Sequence, residues 1–176
     1  MLKVITAPDP ILNTVCAPYG ESELGTPSLR KFAKQLTKTM YKFDGVGLAA
    51  PQVGITKRII VVDCTDQKPR DPFVLVNPEI MDSWGNTTHD KEGCLSVPGI
   101  QIEIPRTEWV RLSYFDVEGE AFEIETDGLL ARCLQHEIDH LNGKTMLESC
   151  PPHARLKALQ DYEEAKRNGA KPGEVE

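Results

Sequence analysis

Two histidines four residues apart, with a glutamate beside the first, are the residues of this chain best suited to metal chemistry. They lie in the sequence Gln-His-Glu-Ile-Asp-His at 135–140. If that segment is helical, His136 and His140 share one face, where two neutral imidazoles can bind one divalent ion. Glu137 can then reach a water on the ion without being a ligand. A bound metal lowers the pKa of such a water to about 7.

Two histidines leave a catalytic metal site incomplete, because such sites typically have three protein ligands and a water. A third histidine at the His-x-x-Gly-x-x-His position is excluded, since Met146 stands there. Glu163 or Glu164 could supply a carboxylate from a following helix, as in a zinc peptidase, although both lie in a charge-rich stretch typical of a solvated face. Cys94 could supply a thiolate from a loop that the neighbouring glycine lets approach closely. A closed shell of protein ligands would instead indicate a structural metal domain.

Three helices are predicted around this motif. The histidines lie in an apolar stretch bounded by Gly128 and Gly143, and a helix that is apolar nearly all round is buried. Gly143 is a suitable residue to end it. An N-terminal amphipathic helix is predicted to start at Pro27 with Thr26 as its cap. A C-terminal helix is predicted from about residue 153 to 165.

Several strands are predicted before the metal-binding helix. The β-branched run 58–63 predicts a buried strand, 73–76 a second and 80–84 a third, and 85–91 is predicted to be a loop. Apolar alternation around a turn predicts a hairpin over 109–125.

Strands that precede helices, rather than alternating with them, predict an α+β fold. We expect a single catalytic metallohydrolase domain over residues 1–167, in which antiparallel or mixed β-sheets wrap around a central buried metal-binding helix, with the N-terminal and C-terminal helices outside it. Residues 168–176 are expected to be a flexible C-terminal tail.

The composition limits the possible partners. With 176 residues, 40% of them hydrophobic, and a net charge of −7, the chain suits one globular domain, and nucleic acid and anionic membranes are disfavoured as partners. It has no run of 18 apolar residues that would predict a transmembrane helix, and its N-terminus is unlike a signal peptide. Five scattered cysteines suit a reducing compartment, so a cytoplasmic location is expected.

Three blocks of the sequence resemble the peptide deformylase family: Gly-Val-Gly-Leu-Ala-Ala-Pro-Gln at 45–52, Glu-Gly-Cys-Leu-Ser at 92–96 and the histidine motif at 135–141. They occur in the family's order and at similar separations, and the resemblance covers roughly residues 1–147. It implies a metal-dependent hydrolase that removes the formyl group from the N-terminal formylmethionine of newly synthesised polypeptides and releases formate. The implied partners are N-formylmethionyl nascent peptides on the ribosome.

The resemblance also implies the catalytic residues. One divalent metal ion per chain is expected, Fe²⁺ as in typical members, with Zn²⁺, Ni²⁺ or Co²⁺ also able to occupy the site; its implied ligands are Cys94, His136 and His140. Glu137 is implied as the general base and then the general acid for attack by metal-bound hydroxide. The side-chain amide of Gln52 and the backbone N–H of Leu95 are implied as donors to the developing oxyanion.

A methionine pocket beside the metal is the last implied feature. Its implied residues are Val46, Gly47, Glu92, Leu129, Cys133 and His136. Asp139 should face away from the metal and form a structural ion pair with Arg106. Gln101 occupies a position where some members carry an arginine, so contacts with longer peptides are expected to differ here.

Overall fold

A five-stranded antiparallel sheet forms the centre of the structure, a computed structural model that describes residues 2–65 and 70–174. The strands follow one another across the sheet in chain order: β1 Gly47–Ala49, β2 Ile59–Val62, β3 Phe73–Cys94, β4 Val97–Phe115 and β5 Ala121–Thr126. The α-helices of the described ranges are α1 Pro27–Lys42, α2 Gly128–Leu141, α3 Met146–Ser149 and α4 Pro152–Arg167. None of these helices is long and apolar enough to cross a membrane.

Helices cover both faces of the sheet at β2. Ile59 and Val61 pack in the cluster that α1 contributes to, whereas Ile60 and Val62 pack with α2. Successive side chains of a strand point to opposite faces, so a strand covered on both sides must be apolar throughout. The predicted α+β class with an antiparallel sheet is confirmed, and α2 lies on one face of that sheet, opposite α1.

The predicted loop at 85–91 is wrong. A single long strand, β3, includes the predicted strands 73–76 and 80–84 and this loop, and it pairs with β4 down to Cys94 opposite Val97. Most side chains of its outer half are exposed, so apolar alternation could not reveal it. The pairing is irregular near Asn77 and Gly85, which both have positive φ. Such bulges are typical of long twisted strands.

The chain after α4 returns to the hairpin formed by β3 and β4. Ala170 packs against the core, and the N–H of Gly99 donates to the carbonyl of Glu174 over 2.8 Å. Gly173 approaches Phe43 so closely that a Cβ would lie 2.8 Å from the Phe43 carbonyl oxygen. Residues 175–176 lie outside the described residues. A flexible tail from residue 168 stays a prediction.

Candidate metal centre

Three ligand atoms of the types that bind transition metals converge beside α2. The Cys94 sulfur and one ring nitrogen each of His136 and His140 lie within 4.8 Å of one another, and all three residues are buried. The Cys94 Sγ is 3.4 Å from His140 Nε2. One thiolate with two imidazoles is a set that Zn²⁺, Fe²⁺ and related ions accept. The three residues therefore fit a divalent metal.

Two elements position these ligands. Cys94 is the last residue of β3 before the tight turn to β4. The histidines lie one turn apart on α2, where their ring centroids are 5.1 Å apart. Gly143 follows α2 with a φ of +78°, and a Cβ there would lie 2.8 Å from the Asn13 carbonyl oxygen. Glycine thus lets the chain end the helix against the N-terminal segment.

A buried carboxylate holds the ring of His136. Glu92 Oε1 is 2.8 Å from His136 Nδ1, and Arg106 donates to both Glu92 oxygens over 2.9 Å each. Burial opposes ionisation of Glu92, but the hydrogen bonds from His136 and Arg106 outweigh it and lower its pKa to about 2. An ionised carboxylate only accepts, so His136 Nδ1 donates and its Nε2 is left for a metal.

Arg106 also binds Asp139, as predicted. The Arg106 Nη1 to Asp139 Oδ2 distance is 2.6 Å, and the Ser149 hydroxyl donates to the same oxygen over 2.7 Å. This ion pair links α2 to β4.

Glu137 has the properties of a proton-transfer group. It is 4% exposed, its Oε1 lies 4.0 Å from His136 Nε2, and its Oε2 has no hydrogen-bond partner among the described residues. Burial raises the pKa of this carboxyl to about 7. A buried oxygen without a partner is costly, and such groups are concentrated at functional sites.

Gln52 is fixed in the same site by both ends of its amide. Its Oε1 accepts from the Ala49 N–H over 2.9 Å, and its Nε2 donates to Ser96 Oγ over 3.1 Å and lies 3.6 Å from Cys94 Sγ. The N-terminal segment holds both Gln52 and Ser96, because the Ile5 N–H donates to the Gln52 carbonyl and Ser96 Oγ donates to the Ile5 carbonyl. The amide N–H group therefore faces the ligand cluster.

A cavity of about 270 Å³ opens beside the cluster. The predicted site residues that line it are Val46, Gly47, Gln52, Glu92, Cys94, Leu95, Leu129, Cys133, His136 and Glu137.

 The apolar members Val46 and Leu129 are about half exposed and form part of the cavity wall. His140 is 1% exposed and lies behind this lining. The structure therefore brings all the predicted site residues to one place.

The sequence that forms this site matches a known protein family. The model of the family described as Polypeptide deformylase matches residues 1–155. The chain belongs to the polypeptide deformylase family. A peptide deformylase of Tolumonas auensis is 42% identical over 167 residues, which cover 95% of this chain and 97% of the relative.

Solved deformylase structures share the fold. A crystal structure of a peptide deformylase from Legionella pneumophila has 40% identity and a TM-score of 0.86, with 96% of each chain covered. A peptide deformylase from Acinetobacter baumannii, crystallised with Met-Ala-Ser bound, has 38% identity and a TM-score of 0.80. The match covers 84% of this chain and 97% of the Acinetobacter chain.

The alternative carboxylate ligands are not brought to the candidate metal site. Glu163 pairs with Lys166 over 2.9 Å on α4, and Glu164 is exposed. Neither belongs to the candidate metal cluster found in the described part of the chain. The structure therefore favours the thiolate as the third ligand.

Sequence reasoning missed two residues that support the site, Ser96 and Arg132. Ser96 accepts from Gln52, and Arg132 binds Glu92 over 2.6 Å. Ser96 stands in the block at 92–96 that resembles the family, but no local pattern indicated its hydrogen bond with Gln52. Arg132 gave a signal, because an arginine in the middle of an apolar helix needs a buried partner.

Proposed function

We propose that this member of the deformylase family is a metal-dependent hydrolase that removes the formyl group from the N-terminal formylmethionine of newly synthesised polypeptides. The observation that carries the proposal is the convergence of a thiolate and two imidazoles, in one cavity, beside a buried glutamate whose Oε2 has no hydrogen-bond partner among the described residues. Water adds to the formyl carbon, the C–N bond breaks, and formate and a free amine leave.

Cys94, His136 and His140 are the proposed ligands of one divalent ion per chain. A bound ion supplies Lewis acidity to water and to the formyl oxygen. We propose Fe²⁺ as the metal, while Zn²⁺, Ni²⁺ and Co²⁺ suit the same donor atoms. The hydrogen bond from His136 Nδ1 to Glu92 supports this assignment, because it orients the ring so that Nε2 faces the other ligands.

Glu137 is the proposed general base and acid. It takes a proton from the attacking water and transfers it to the departing nitrogen. A carboxyl whose pKa is raised to about 7 by burial can both accept and donate a proton near neutral pH. Its Oε2, which has no hydrogen-bond partner in the described part of the chain, leaves an acceptor for the proton of the water.

Gln52 Nε2 and the N–H of Leu95 are the proposed donors to the oxyanion. Replacing Gln52 with leucine, which keeps most of the volume, is expected to lower kcat for formate release by about 10²–10³-fold, because one donor to the developing charge is lost. Steady-state kinetics on formyl-Met-Ala measures this. Gln160→Leu, on the exposed face of α4, is the matched control. An unchanged kcat in Gln52→Leu would remove Gln52 from the oxyanion site.

The proposed methionine pocket is the apolar part of the cavity, formed by Val46, Gly47, Leu129 and Cys133 beside His136. The Acinetobacter deformylase with Met-Ala-Ser supports a peptide that begins with methionine as the occupant. Glu92 also lines the cavity, but its carboxylate is already bound by His136 and two arginines. We therefore assign Glu92 to holding His136 rather than to polar contact with substrate.

Because Gly47 has no side chain, the Glu137 carboxyl can lie directly beside it. A Cβ on Gly47 would overlap Glu137 Oε1, so Gly47→Ala is expected to displace the carboxyl and lower kcat by about 10²-fold or more. Metal content should not change, since no ligand is touched. Formate release and metal analysis of the same preparation measure both. Gly20→Ala is the control, because the nearest atom to its Cβ is 3.7 Å away. Normal turnover by Gly47→Ala would contradict the tight placement of Glu137.

The proposed setting is the cytoplasm, with formylated nascent chains on the ribosome as substrates and residues 1–167 as the catalytic domain. None of the five cysteines, all within the described ranges, forms a disulfide, which suits a reducing compartment. The net charge of −7 disfavours direct binding to nucleic acid.

One assay tests the proposed reaction. The purified protein, prepared with oxygen excluded, should release formate from formyl-Met-Ala and should leave acetyl-Met-Ala intact. Protein stripped of metal by a chelator should lose this activity and recover it when Fe²⁺ is returned. Failure to release formate from the metal-loaded protein would overturn the proposed function.

A further inference from the structure

Arg132 is a buried cation on α2 that binds Glu92, the carboxylate that holds the ring of His136. It is 7% exposed and lies one helical turn before His136. Its Nη1 donates to Glu92 Oε2 over 2.6 Å and to the Ile104 carbonyl over 2.8 Å. Its Nη2 donates to the hydroxyl of Thr88 over 2.7 Å and to the carbonyl of Thr88 over 3.1 Å. Arg132 thus joins α2 to both strands of the long hairpin.

With Arg132 in place, every acceptor position of Glu92 is used. Oε1 accepts from His136 Nδ1 and from Arg106 Nη2, and Oε2 accepts from Arg106 Nε and from Arg132 Nη1. A carboxylate offers about four such positions. A carboxylate held on all of them cannot rotate without breaking a charged hydrogen bond.

The charges also require a second cation. Arg106 is shared between Glu92 and Asp139, so its one positive charge faces two carboxylates. Arg132 supplies the other charge, so that two buried guanidinium groups balance the buried carboxylate of Glu92 and the partly exposed carboxylate of Asp139. Without Arg132 the remaining side chains would carry an uncompensated negative charge next to His136, which is costly where water is excluded.

We propose that Arg132 is a positioning residue for His136 that acts through Glu92. It fixes the carboxylate relative to β3 and β4, and the carboxylate in turn holds the imidazole in the orientation that presents Nε2 to the metal. The inference rests on the proposed function only in taking His136 as a metal ligand. Its direct consequence is slower loss of the metal from the folded protein.

The test compares metal retention in three variants. Arg132→Met keeps the length of the side chain and removes its charge and donors; Arg132→Lys restores the charge without the two-pronged donation. Asp90→Asn is the control, because Asp90 is exposed and faces Arg132 Nε at 3.6 Å without touching Glu92. Each protein is loaded with Zn²⁺, folding is checked by circular dichroism, and the rate of zinc transfer to a chromogenic chelator is recorded.

Arg132→Met should lose zinc about 10- to 100-fold faster than the unmodified chain, as expected when the group that orients a ligand is disturbed. The rate of zinc loss from Arg132→Lys should fall between those of Arg132→Met and the unmodified chain. The rate for Asp90→Asn should equal that of the unmodified chain. The visible spectrum of the Co²⁺-loaded protein should change in Arg132→Met, which a purely structural ion pair would not cause.

Unchanged zinc transfer and an unchanged Co²⁺ spectrum in folded Arg132→Met would overturn the proposal. If Arg132→Met does not fold, the test relies on Arg132→Lys. A rate of zinc transfer from Arg132→Lys equal to that of the unmodified chain would also overturn the proposal. Failure of the proposed function is distinguishable, since the unmodified chain would then hold zinc but release no formate.

Discussion

Replacing Glu137 with alanine is expected to lower formate release from formyl-Met-Ala by about 10²–10⁴-fold while the metal stays bound. The carboxyl is buried, carries an oxygen without a partner among the described residues, and lies 4.0 Å from the ring nitrogen of His136 that faces the other ligands. Removing it leaves the ligands in place but leaves no group to carry the proton from the water to the amine. Formate assays and metal analysis on one preparation measure both effects.

The control for this variant is Glu163→Ala, which removes an exposed carboxylate paired with Lys166 on α4. It should keep full activity and full metal content. Full activity in Glu137→Ala would contradict the assignment of Glu137 as the base. Loss of the metal from Glu137→Ala would instead indicate that this carboxyl is itself a ligand.

Replacing Cys94 with alanine is expected to remove the metal and, with it, all formate release. Two histidines from one helix remain, and they lack the donor from β3 that completes the set of three. A metal that binds only the folded protein also stabilises it, by about 2.7 kcal/mol at a free concentration one hundred times its Kd. Thermal unfolding with and without added Zn²⁺ should therefore show a shift in Tm for the unmodified chain and none for Cys94→Ala.

The matched control is Cys133→Ala, because Cys133 lines the same cavity but is not in the ligand cluster. Its metal content and its Tm response to Zn²⁺ should equal those of the unmodified chain. Retention of metal by Cys94→Ala would favour a carboxylate as the third ligand. It would then support the alternative function, that of a zinc peptidase.

Local features of the sequence predicted much of the scaffold. Thr26 accepts from the Leu29 N–H at the start of α1, and Gly143 ends α2. The spacing of His136 and His140 placed both rings on one face of that helix. These predictions depend on residues a few positions apart, so the physical causes lie within the segments themselves.

Features that depend on distant parts of the chain were not predictable in the same way. The outer half of β3 has mainly exposed side chains and is a strand only because β4 pairs with it. The hydrogen bond between Ser96 and Gln52 joins residues 44 positions apart. The residues around Cys94 made it one of the candidate third ligands, whereas Gln52 was assigned to the site only by family resemblance. The catalytic roles of both residues stay predictions.

The position of Glu174 has a practical consequence for anyone who labels this protein. Its carbonyl is bound to Gly99, and Gly173 and Glu174 line the same cavity as the proposed catalytic residues. A bulky label attached to a cysteine placed at position 174 would lie beside this cavity and would be expected to compete with incoming peptides. Kinetic constants should therefore be measured on protein without such a label.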